Sequence, residues 1–111
     1  MEIARSMVNV LEDKKGEEIL LIDLQGIISF ADYFIICNGT SDRMLQALAD
    51  ALTENAHKEF QLATRVEGSP DDGWVLVDLG DVVVHLFSPD QREYYQLEKL
   101  WSKGKVLVRL Q

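Results

Sequence analysis

Two hydrophobic periods alternate along this chain, and the switches between them mark its elements. Glu2 to Asp13 sets Ile3, Met7, Val10 and Leu11 on one stripe at helical spacing. "KKG" ends that helix, with basic residues near its C-terminus and Gly16 as a left-handed cap. "EEILLIDL" then reads as a short apolar strand, "QGIISFAD" as a connection, and "YFIICN" as a second, buried strand. In "GTSDRMLQALADALTENAHKEF" the stripe Leu45, Leu48, Ala49, Leu52 and Ala56 returns to three- and four-residue spacing. Thr40 or Ser41 caps this long helix, and Asp42 suits the positive end of its dipole. "LATRVEG" is a weaker third strand and "SPDDG" a turn. "SPDQ" opens a further helix, with Ser88 as N-cap and Pro89 at its first position, running to about Trp101.

Between that turn and that helix lies "GWVLVDLGDVVVHLF", two strands joined at Gly80. With Leu79 and Gly80 as a two-residue turn and Gly80 at positive φ, Asp78 faces Asp81, Leu76 faces Val83 and Trp74 faces His85. This register puts valines and leucines on one face, expected in the core. The other face mixes Trp74, Leu76, Val83 and His85 with the two aspartates. A one-residue slip would push Asp81 and His85 into the core. An apolar patch with a polar rim is a candidate protein-binding surface.

The element order predicts an α/β domain of two or three layers, with a single mixed sheet of about five strands packed with helices. One domain is expected over residues 1–111, with 102–111 a short C-terminal strand or an arm. At 47% hydrophobic residues the chain can build a core without disulfide or structural metal. Its one cysteine, Cys37, lies in an apolar strand and reads as a buried, inert thiol. No apolar run approaches the roughly 20 residues that cross a bilayer. The N-terminus lacks the basic start and apolar segment of a signal peptide. A soluble, cytoplasmic protein is the expectation. The net charge of −8 argues against tight nucleic-acid binding, which phosphate contacts from Lys and Arg dominate, and favours a basic partner.

Enzyme chemistry finds little support in the residues. Asp78, Asp81 and His85 could hold a divalent ion, but the register separates the aspartates from His85 by about 13 Å, too far to share one. "NGTSDR" at a strand–helix junction resembles a phosphate cradle, yet it has one glycine and no lysine, and Thr40, Ser41 and Asp42 read better as a helix cap. Cys37 with His57 or His85 lacks a third group to orient a base.

Three stretches carry a more specific signal: "DLQGIISFADYFIICNGTSDR", "GWVLVDLGDVVVHLF" and "REYYQLEKLW". In this order and spacing they resemble the ribosomal silencing factor family, RsfS or Iojap, over nearly the whole chain to Trp101. The resemblance implies a nucleotidyltransferase-like core without catalytic residues, and no cofactor or metal. It implies binding to the large ribosomal subunit through the basic ribosomal protein L-fourteen, which blocks joining of the small subunit and represses translation when nutrients are limited. It also implies homodimers for some members when free, and large-subunit assembly for mitochondrial ones. Carried onto this chain, the binding region comprises Trp74, Asp78, Asp81, His85, Tyr95, Glu98 and Lys99, the last three at helical spacing. For Tyr94, Leu97, Leu100 and Trp101 the competing expectation is packing of that helix. The rival function is a nucleotide-binding or nucleotidyltransferase-like enzyme, resting on "NGTSDR" and the two aspartates.

Overall fold

In a computed structural model, residues 1–100 and 102–111 are described. Their elements in order are α1 (Glu2–Asp13), β1 (Glu17–Asp23), β2 (Tyr33–Asn38), α2 (Asp42–Phe60), β3 (Arg65–Ser69), a 3-10 turn (Pro70–Asp72), β4 (Trp74–Asp78), β5 (Val82–Phe87), α3 (Pro89–Tyr95), α4 (Leu97–Leu100) and β6 (Lys105–Leu110). The strands form one mixed sheet in the order β3-β4-β5-β2-β1-β6, with β2 and β5 parallel and the other neighbours antiparallel. The sheet has six strands rather than about five: the C-terminal segment pairs with β1.

Two apolar layers sandwich the sheet. On one face α1 and α2 bury Met7, Leu11, Leu45, Leu48 and Leu52 against Ile35, Val75, Val77, Val82, Val84 and Leu86. On the other, Phe34, Ile36, Val83 and Phe87 pack with Leu97 of α4 and with Ile28 and Ala31 of the β1–β2 connection. The first layer is two long helices; the second is thin. Among the described residues no helix is long and apolar enough to cross a membrane.

The α1 stripe lies slightly round from the expected one. Ala4, Met7, Val8 and Leu11 are buried, while Ile3 and Val10 are only partly covered. The left-handed residue after α1 is Lys15, at φ 69°, and not Gly16. Gly16 is required by contact instead: a Cβ there would lie 2.5 Å from Cys37 Sγ and 3.0 Å from the Leu11 carbonyl oxygen. Ser41 caps α2, its Oγ accepting from the Met44 N–H at 3.1 Å.

The hairpin keeps its faces but shifts its pairs. Trp74 lies opposite Phe87, Leu76 opposite His85, Val77 opposite Val84 and Asp78 opposite Val83. The turn residues are therefore Gly80 and Asp81, closed by the Leu79 N–H donating to the Val82 carbonyl at 2.9 Å. Gly80 does take positive φ, at 92°. A two-residue displacement keeps each side chain on its face, because the strand period is two, so the face pattern alone could not separate the two registers. Asp78 uses its carboxylate to accept the Gly80 N–H at 2.8 Å, a local bond that fits the turn one step later.

The helix after Ser88 also differs. It stops at Tyr95; Gln96 is left-handed at φ 46°, ψ 50°, and α4 begins beyond it. Tyr95, Glu98 and Lys99 therefore do not share a continuous helical face. The expected end at Trp101, and that residue's packing, lie outside the described residues.

Candidate protein-docking face

β4 and β5 place Trp74, Leu76, His85 and Phe87 on the thinly covered face. Period-two alternation puts them there, since Val75, Val77, Val84 and Leu86 take the helix-covered side. Trp74 is half-buried and holds three rings around it: Phe87 at 4.9 Å, Tyr95 at 4.6 Å and His85 at 5.9 Å between centroids. His85 also meets Phe34 edge-on at 4.7 Å, and Phe34 meets Phe30 at 6.1 Å. Tyr94 stands edge-on to Tyr95 at 5.0 Å. The rings form a continuous band across the face, and its two ends are open: Phe30 is 62% exposed and Tyr94 77%.

A shallow pocket of about 300 Å³ opens on this band, lined by Trp74, Leu76 and Tyr95 with Glu67, Gly68 and Asp72. The apolar floor with acidic walls can take an aromatic or aliphatic group beside a cation. The acidic character extends along that edge. The Asp71 carboxyl beside Asp42 raises the Asp42 pKa, because a neighbouring carboxylate favours the protonated form.

The structure divides the expected contact residues. Trp74 and Tyr95 come together at the pocket. Asp78 is half-buried and Asp81 exposed at the hairpin turn, and Lys99 is exposed on α4. His85, expected on a mixed and open face, is only 5% exposed. Its Nδ1 accepts the Trp74 Nε1–H at 3.2 Å, so the neutral ring carries its proton on Nε2, which has no hydrogen-bond partner. Burial lowers its pKa to about 4. Trp74 and His85 are thus neighbours, as expected, but diagonal across the strands rather than opposite. Glu98 is turned inward: Oε2 accepts from Arg92 Nε at 3.1 Å and Oε1 is buried without a partner.

Sequence reasoning missed Phe30 and Arg92, and the packing it offered for Tyr94 is not found, since that ring is 77% exposed. A phenylalanine between Ser29 and Ala31 in a connecting segment was the available signal for the first. Nothing in the spacing of Arg92 marks it.

The alternative chemistries find little geometry. Cys37 is fully buried and its pKa is pushed up to about 12, chiefly by burial, far from a thiolate nucleophile. Among the described residues no group of three or more His, Cys, Asp and Glu could hold a metal ion. At "NGTSDR" the polar groups are internally engaged. Asn38 Oδ1 accepts from Arg92, Ser41 caps α2, and the Thr40 N–H points at Met44 Sδ at 3.2 Å.

Comparison with known proteins gives the family and the fold. The family model described as "Ribosomal silencing factor during starvation" matches residues 1–110. The ribosomal silencing factor RsfS of Bacillus subtilis is 50% identical over 91 residues, 82% of this chain and 77% of that protein. The RsfS of Halalkalibacterium halodurans is 45% identical, over 91% of this chain and 86% of that one. A crystal structure of a Chromobacterium violaceum protein superposes with a TM-score of 0.85 at 37% identity, covering 96% of this chain and 91% of the other. A match along 1–110, relatives at this identity and a shared fold have one meaning: the chain belongs to the ribosomal silencing factor RsfS family.

Proposed function

We propose that this protein is a non-enzymatic translational repressor. It docks through the aromatic face on the basic ribosomal protein L-fourteen of the large ribosomal subunit, excludes the small subunit sterically, and acts in the cytoplasm under nutrient limitation. The observation that carries the reading is the half-buried Trp74, its ring tilted against that of Tyr95 in a pocket walled by Glu67 and Asp72. Large aromatic anchors in such pockets dominate binding energy at interfaces, and acidic walls select a basic partner. The names of the relatives support the same reading.

Within it, Trp74, Tyr95, Asp78, Asp81 and Lys99 make contacts, and Phe30 and Tyr94 extend the contact area to either side. His85 acts from behind, holding the Trp74 ring by its indole N–H. Sedimentation of the purified protein with isolated large and small subunits tests the proposal. It should travel with large subunits, and small subunits added afterwards should fail to join them. Trp74→Ala, which leaves the helix-covered core untouched, should weaken that association by about 2 kcal/mol or more. Equal recovery with both subunits, or a folded Trp74→Ala chain that binds as well as the parent, would count against it.

A further inference from the structure

The helix that supplies Tyr95 to the pocket is held in an unusual way. α3 has seven residues, and no apolar one among them is buried. A short helix normally owes its place to an apolar stripe, and this one has none. It is fastened at its ends. At the start the Ser88 N–H donates to the Gly73 carbonyl at 2.9 Å, and Ser88 Oγ accepts from the Gln91 N–H at 3.3 Å. Toward the other end stands Arg92, whose side chain is only 11% exposed.

The Arg92 guanidinium reaches three elements. Nη1 donates to the Glu18 carbonyl at 2.7 Å, in the irregular start of β1 where Glu18 has φ 51°. The same nitrogen donates to Asn38 Oδ1 at 2.9 Å, at the buried end of β2. Nε donates to Glu98 Oε2 at 3.1 Å, across the left-handed break at Gln96. A planar fork with several fixed donors can serve three acceptors at once; a lysine ammonium is a point charge on a flexible stem. Left-handed non-glycine residues such as Glu18 and Gln96 are costly and persist where their surroundings determine them. Arg92 bonds to one of these residues and spans the other.

We propose that Arg92 is a positioning residue of the docking face: its fork fastens α3 to β1, β2 and α4 and thereby holds the Tyr95 ring against Trp74. The inference rests on the docking reading above and adds the element that sets the pocket's shape. Glu98 then belongs to this latch rather than to the contact surface.

Two measurements on the full chain test it. In the free protein, nuclear Overhauser contacts between the Trp74 and Tyr95 rings should be present in the parent and lost in Arg92→Ala; their persistence overturns the proposal. In sedimentation with isolated large subunits, Arg92→Ala and Tyr95→Ala should each bind roughly 10-fold more weakly, and the double variant no more weakly than either, because both remove one contact. Multiplying effects would mean that Arg92 acts elsewhere and overturns it. Should Arg92→Ala not fold, Arg92→Lys keeps the charge without the fork and should show the same ring separation and the same non-additivity; parent-like rings and binding in that folded variant overturn the proposal. Tyr95→Ala weak and Arg92→Ala at parent strength sinks the latch and leaves the docking reading standing. Both at parent strength sinks the pocket as the docking site, and the latch with it.

Discussion

His85 sits between Phe34, Trp74 and Phe87, neutral and 5% exposed, and its titration should govern part of the acid sensitivity of the fold. Burial lowers its folded pKa from 6.5 to about 4. Between those values the unfolded chain binds the proton and the folded chain resists it. Stability from this group is therefore complete above about pH 6.5 and falls as the pH drops through 4, by up to ~3 kcal/mol in all. Urea titrations at a series of pH values check this. His85→Gln should flatten the difference between pH 7 and 4, and an unchanged slope would show that His85 does not carry it. The sequence placed Trp74 and His85 together, because strand alternation is local. It could not show that His85 lies beneath the surface, since the groups that cover it, Phe34 and Phe87 with Trp74 above, come from three different strands.

Among the elements, the junction of α1 and β1 shows how a contact can require what looks like a conformational glycine. Gly16 does not take positive φ; its neighbour Lys15 does. Gly16 is packed against Cys37 Sγ, so Gly16→Ala should destabilise by about 1–3 kcal/mol through overpacking. Cys37→Ala removes the sulfur and should recover part of that loss in the double variant, as a thermal-unfolding cycle would show. Independent, additive effects would mean the crowding lies elsewhere. The long elements were legible from periodicity: α2 with its Ser41 cap, β2 and the two faces of the hairpin. The short ones were not. Residues 89–100 carry a continuous helical pattern, and its division at Gln96 goes with the Arg92 bonds to Glu18, Asn38 and Glu98 and with the burial of Leu97, all of them contacts to segments distant in sequence or across the break.

At the scale of the whole molecule the excess of negative charge is unevenly used. Glu67, Asp71 and Asp72 stand at the β3–β4 edge beside the pocket, while Lys103, Lys105 and Arg109 lie in and before β6 at the opposite edge. A basic partner docked at the acidic edge should lose affinity as salt rises, because exposed charges are screened over about 8 Å at physiological ionic strength. Co-sedimentation with large subunits across a salt series should show that decline, and less of it in Glu67→Gln with Asp72→Asn; a flat series would make the contact apolar alone. Sequence by itself determined the α/β class, the core faces of α2 and of the hairpin, and the family, because these depend on residue spacing and on a specific order of motifs; the stripe of α1 it placed slightly off. Tertiary structure decided the hairpin pairing, the sixth strand, the burial of His85 and the inward turn of Glu98. Each of these depends on which distant segment supplies a covering ring, a strand edge or a hydrogen-bond acceptor, and spacing along one chain does not encode that.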